Sequence, residues 1–233
     1  ALLPGERGAM KKWLGYGILC LLIPAVVLGG ALIFRDRQYA YITLCVAVLS
    51  CLPFFLHFER SANDVKRLIL IAVMVALSVA GRMLFAPLQH FKPVTALVII
   101  TAMYFGSEAG FLTGALSAVL SNFYFGQGPW TPFQMFSWGM IGFFSGLLAP
   151  LLRRSRIALC IWGGIGGVLY SFLMDIWTVL WADGYFNLPR YFAAIASAVP
   201  VTAVYVVSNI LFLLVLAKPI GKLLARMKTK YAL

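Results

Sequence analysis

Charge is scarce in this sequence and acid scarcer still: 11% of the 233 residues are charged, and seven are Asp or Glu. Soluble domains carry about 25% charged and roughly 45–50% apolar residues. Here 62% of residues are hydrophobic and the mean hydropathy is +0.93. So little polar surface cannot cover such a core in water, which excludes a soluble globular enzyme. Histidine is nearly missing, with His57 and His90 the two copies. No HExxH, GxSxG or cluster of intramembrane carboxylates is present, so neither a metal site nor a catalytic set can be assembled. Glu108 follows Gly106-Ser107 and reads as a helix cap. The run Gly163-Gly-Ile-Gly-Gly167 lacks a following Lys-Ser/Thr, so it is no P-loop and this chain should bind no ATP or other cofactor itself. CxxC spacing is also absent; Cys20, Cys45, Cys51 and Cys160 lie in apolar runs and read as small buried hydrophobes.

What is abundant is apolar sequence. Eight segments stand out, at about 13–34, 39–56, 66–86, 94–106, 109–125, 133–152, 157–182 and 190–217. A spanning helix needs about 20 residues. The chain therefore reads as an all-α, polytopic membrane helix bundle, with tilted or re-entrant geometry open for the short fourth and fifth segments. The polar stretch His57–Arg67 separates a two-helix N-terminal hairpin from a six-helix remainder. The expected divisions are residues 1–12 as an N-terminal extension (Met10-Lys-Lys-Trp13 resembles a start), 13–56 as the hairpin, 57–65 as a cytoplasmic linker, 66–217 as the six-helix core, and 218–233 as a basic cytoplasmic tail. The run after Lys12 has no clean cleavage site and is read as a retained helix.

The net charge of +12 has a topological explanation. With the N-terminus inside, 14 Lys and Arg fall in inner segments and four (Arg35, Arg37, Lys92 and Arg190) in outer loops. That asymmetry places both termini in the cytoplasm and accounts for the basic charge without nucleic acid. The outer loops are then 87–93, 122–132 and 183–189. The middle one is uncharged but dense in Gly, Pro, aromatics and amides, which suits stacking and hydrogen bonding to a mostly neutral molecule. A turn at a lipid interface would also use such aromatics.

Within the segments, the Gly106/Gly110/Gly114, Gly142/Gly146 and Gly163/Gly167 rows suit close helix packing inside the chain. Ala72, Ala76 and Ala80 form a further row that fits either internal packing or a partner's helix. Arg82 and Asp175 are embedded at similar depth, so they should either pair or line a water-filled cavity.

The run Ser121-Asn-Phe-Tyr-Phe-Gly-Gln-Gly-Pro-Trp-Thr-Pro-Phe-Gln-Met135, followed by Trp138-Gly-Met-Ile-Gly142, resembles the substrate-binding S components of energy-coupling factor (ECF) vitamin transporters. His90–Ala96 is similar to the first loop that closes over substrate in that family, and Ala72-x3-Ala76 to its docking motif. The resemblance covers roughly residues 66–217. It implies a bacterial cytoplasmic-membrane subunit that binds a vitamin from outside, then topples in the lipid while docked on a T component energised by two ABC ATPases. Ala72, Ala76 and Ala80 would form the docking face. Arg82, Phe91, Lys92, Asn122, Tyr124, Gln127, Trp130, Thr131, Gln134, Asp175 and Tyr185 are the candidate substrate contacts. Lys92 would meet a carboxylate or phosphate, or else snorkel at the interface. The Gly-Gln-Gly-Pro-Trp-Thr-Pro run is most like the cobalamin group, with queuosine-type nucleosides and pantothenate as alternatives. A stand-alone permease, a membrane enzyme of lipid or quinone metabolism, and an assembly subunit are the rival classes. The enzyme would need a convergent titratable set that the sequence does not supply.

Overall fold

A computed structural model describes residues 62–231 together with Leu49. The expected hairpin, most of its linker, and Cys20, Cys45 and Cys51 lie outside the described residues. Those residues form seven helices: α1 (Ala62–Leu84), α2 (Val94–Phe105), α3 (Ser107–Phe125), α4 (Thr131–Leu147), α5 (Ala149–Arg154), α6 (Arg156–Asp183) and α7 (Leu188–Tyr231). Three of them, over Val65–Leu84, Arg156–Asp183 and Leu188–Tyr231, are long and apolar enough to cross a membrane.

Two boundaries differ from the apolar pattern for physical reasons. The segment expected at 133–152 is two helices, because Pro150 has no N–H to continue the ladder and the chain restarts at Leu148. The last helix does not stop at 217 but continues through the basic stretch to Tyr231. Lys218, Lys222, Arg226 and Lys230 recur at four-residue spacing along it, while Gly221 and Leu224 are buried. Residues 218–231 are thus an amphipathic extension of a membrane helix.

The centre is α2. Eleven of its twelve residues are buried, Val98, Ile99 and Ile100 completely. At 1.5 Å per residue it is about 18 Å long, short of the roughly 30 Å of a bilayer core. Surrounded by α1, α3, α4 and α7, it needs no lipid-facing length. Gly106 joins it directly to α3 at φ +89 and ψ 179, a conformation open in practice only to glycine.

At that end three cations from three helices meet the unsatisfied carbonyls of α2. Arg67 Nη2 donates to Phe105 O (2.6 Å), Arg153 to Met103 O, and Lys228 Nζ to Tyr104 O (3.3 Å). Positive charge at a helix C-terminus is favourable on both hydrogen-bond and dipole grounds. Glu108, in the first turn of α3, lies 3.9 Å from Arg67.

The glycine rows pack within the molecule, as expected. A Cβ on Gly142 would collide with the Gly110 carbonyl, one on Gly114 with the Trp138 backbone, and one on Gly146 with the Ser107 backbone. These contacts bring α3 and α4 together backbone to backbone. On the other side Gly167 meets the Val206 backbone, and Asn209 Nδ2 donates to Gly163 O (3.0 Å), joining α6 to α7.

A polar and aromatic site at the loop end

The end opposite the cation collar carries the connections 85–93, 126–130 and 184–187. Here polar side chains from four helices converge just inside the bundle. Arg82, on the last turn of α1, is 9% exposed, and its Nη1 donates to Ser121 Oγ and to Asn122 Oδ1 (2.8 Å). Asn122 Nδ2 donates to Thr131 Oγ1 (2.9 Å) and Gln134 Oε1 (2.8 Å), and Gln134 Nε2 donates to the Tyr170 hydroxyl (3.2 Å). Asn122 is therefore the hub linking α1, α3, α4 and, through Gln134, α6.

Aromatic rings cover this network. The Arg82 guanidinium lies 4.6 Å from the Phe125 ring centre and 5.2 Å from that of Trp138. Trp138 stacks on Tyr170 at 4.9 Å and 15°, and Tyr170 meets Tyr205 edge-on at 5.1 Å. Ser121, Phe125, Trp138, Tyr170 and Tyr205 were not among the sequence candidates. Ser121, Phe125 and Trp138 lie in the run that carries the family resemblance, whereas Tyr170 and Tyr205 offer only the amphipathic tip of Tyr inside an apolar run.

The 85–93 connection is folded down on α7. His90 Nδ1 lies 3.0 Å from the Tyr205 hydroxyl, the Lys92 N–H donates to Ser208 Oγ (2.9 Å), and Ser208 Oγ donates back to Lys92 O (3.1 Å). Phe91 and Phe85 pack on Phe212 at 5.1 and 5.0 Å. Residues 205, 208 and 212 share one face of α7, so a single helix surface receives the whole clasp. His90 has φ +62, strained for a residue with a Cβ. Burial first, and the Lys92 charge second, lower the His90 pKa and favour the neutral imidazole. Lys92 is lowered as well, by burial and then by Arg82.

The other candidates fall into different settings. Gln127 Nε2 donates to Val119 O (2.9 Å), its Oε1 accepts from Thr131 (3.0 Å), and the Trp130 ring lies against Gly128. The amide and hydroxyl of the Gly-Gln-Gly-Pro-Trp-Thr-Pro run thus hold the α3–α4 turn itself. Tyr124 and Tyr185 are exposed, with Tyr124 edge-on to Phe125. Of the two arrangements expected for Arg82 and Asp175, the direct pair does not form. Helix α1 packs on α2 and α3, so Arg82 reaches the polar residues of α3 rather than α6. Asp175 is 9% exposed and its Oδ2 has no hydrogen-bond partner.

Residues 62–226 match the family described as ECF-type riboflavin transporter, S component, and the chain belongs to that family. It is a multi-pass protein of the cytoplasmic membrane and a substrate-binding subunit, not an enzyme. Its module supplies a T component and the ATPases that use ATP. The expectation of cobalamin gains no support from this match, whose description names riboflavin. Neither a curated protein nor a solved structure matches the chain.

Proposed function

We propose that this S component captures a riboflavin-type substrate at its loop end and delivers it by toppling on a T component driven by two ABC ATPases. The observation that carries the reading is the extent of the family match: residues 62–226 contain every member of the Arg82–Asn122–Gln134–Tyr170 network and of the clasp over it. A flat heteroaromatic ring with an amide-like edge suits rings such as Trp138 and Tyr170 beside the Asn122 and Gln134 amides. The cobalamin expectation rests on the aromatic, amide-rich outer loops and above all on the turn sequence, and that turn uses its own polar groups internally.

Docking would use the opposite face of α1. Ala72, Ala76 and Ala80 are all exposed, flanked by exposed Ile69, Val73 and Leu77. Small side chains there let a partner helix approach closely.

Titrating riboflavin into the purified chain tests the substrate. Saturable quenching of flavin fluorescence, with no competition from cobalamin, is the expected result. Tight cobalamin binding without flavin quenching would overturn the flavin reading and restore the corrinoid. Tight binding of a queuosine-type nucleoside or pantothenate instead would keep the transport role and replace the substrate.

A further inference from the structure

At the loop end two cations, Arg82 and Lys92, have no acid paired with them among the described residues. Arg82 is buried, yet its Nη1 partners, Ser121 Oγ and Asn122 Oδ1, are both neutral. Its Nε and Nη2 donate to no described residue. Lys92 uses its backbone N–H and carbonyl on Ser208, while among the described residues its ammonium meets only the Phe125 ring, at 4.6 Å. The guanidinium lies at the same 4.6 Å from that ring centre, so two like charges share one phenyl ring. Among the described residues the ion pairs are Arg67–Glu108 and Arg190–Asp183, and neither involves this site. Asp175, the acid that equal depth had suggested as counter-ion, stays unpaired.

Two cations against one ring, Arg82 buried and Lys92 half-buried, repel one another, and no described carboxylate pairs with either. Rings, amides and a hydroxyl hold them in place, while guanidinium and ammonium protons remain undonated. This is the donor set that recognises a phosphate or carboxylate.

We propose that Arg82 and Lys92 form a subsite for an anionic group, a phosphate or carboxylate carried by the substrate. Lys92 lies on the clasping connection and Arg82 on the bundle wall, so an anion between them would tie the clasp shut. The identity of the attached ring rests on the flavin reading; the anion subsite does not.

The test uses the full purified chain. Thermal unfolding is followed with inorganic phosphate, and separately with acetate, against chloride at fixed ionic strength, in wild type and Lys92→Gln. Phosphate or acetate should raise the midpoint of the wild type, and the variant should lose that rise; which anion acts distinguishes the two sources. No anion-specific rise, or the same rise in Lys92→Gln, overturns the subsite whatever vitamin binds.

Riboflavin and its 5′-phosphate are then titrated. The ester should bind roughly tenfold more tightly in wild type, a charge-assisted contact of ordinary size, and Lys92→Gln should erase the preference. Equal affinities would also overturn the subsite. An anion-dependent rise with no binding of either flavin would uphold the subsite and reject the flavin reading.

Discussion

Asn122→Ala is the substitution with the widest expected consequence. The side chain is 1% exposed and makes three hydrogen bonds: one from Arg82 at 2.8 Å, one to Thr131 at 2.9 Å and one to Gln134 at 2.8 Å. A bond to a charged group contributes about 1.5–3 kcal/mol and a neutral one about 0.5–1.5. Polar contacts measured inside membranes average lower, about 0.6 kcal/mol. Each stranded partner also keeps a second contact, Arg82 to Ser121, Thr131 to Gln127 and Gln134 to Tyr170. The expected cost is therefore about 2–3 kcal/mol, a fall of roughly 4–12 °C in the unfolding midpoint of a chain this size. Asn122→Asp should keep and strengthen the Arg82 bond but lose both donations, because a carboxylate has no N–H for Thr131 or Gln134, and it should neutralise the cation toward ligand. Both variants are followed by tryptophan fluorescence in detergent, with and without riboflavin. An Asn122→Ala midpoint within about 1 °C of wild type, together with unchanged affinity, would refute the hub.

Ala72→Trp and Ala76→Trp should abolish uptake by the complete transporter while leaving binding to the isolated chain intact; normal transport by both would remove α1 as the docking face. Gly142→Val should destabilise by about 1–3 kcal/mol or more, since the added atoms meet the Gly110 carbonyl and Val98; unfolding of the purified variant checks this, and wild-type stability would deny the backbone contact between α3 and α4. His90 gives a pH dependence. Its folded pKa lies below the usual 6.5 through burial and Lys92, so the opened clasp binds more protons than the closed one. Closure is at full strength above about pH 6.5 and weakens as pH falls through the lowered pKa. Substrate dissociation should therefore speed up on acidification, and His90→Asn, which tolerates the same positive φ, should flatten the profile. A profile identical to wild type would exonerate His90.

The helical organisation was legible because apolar runs end where Gly or polar residues interrupt them, as at Gly106 and at Phe125-Gly126. The split at Leu148 needed Pro150 to be read as a restart rather than as a residue within a span. Arg82, Asn122 and Gln134 were identifiable as polar groups in apolar surroundings. Depth misled the Arg82–Asp175 pairing, because equal depth says nothing about which helices are neighbours. Composition likewise could not separate an amide that faces a ligand from one that closes its own turn, which is the setting of Gln127. Tyr170, Tyr205 and Ser208 escaped notice because a hydroxyl within a membrane run becomes informative only when its partner is known.

The contacts also divide by the work needed to break them. Between α3 and α4 the Gly110–Gly142 and Gly146–Ser107 approaches are backbone to backbone, and α2 is enclosed between a cation collar and its neighbours. Moving any of these would expose main-chain polar groups or open a cavity in a core where Val98 and Ile99 are fully buried. The 85–93 connection is different. It is held by one imidazole–hydroxyl contact, two bonds to Ser208, packing among three phenyl rings and the Lys92 ammonium on the Phe125 ring. Water and ligand can replace all of the polar contacts, and the strain at His90 favours release. On the proposed function, ligand access at the loop end would require only the clasp to lift, while the bundle that carries the proposed docking face of α1 stays rigid. In such an arrangement a partner docked on α1 would sense the substrate chiefly through Arg82, the one side chain on that helix hydrogen-bonded to the Asn122 hub.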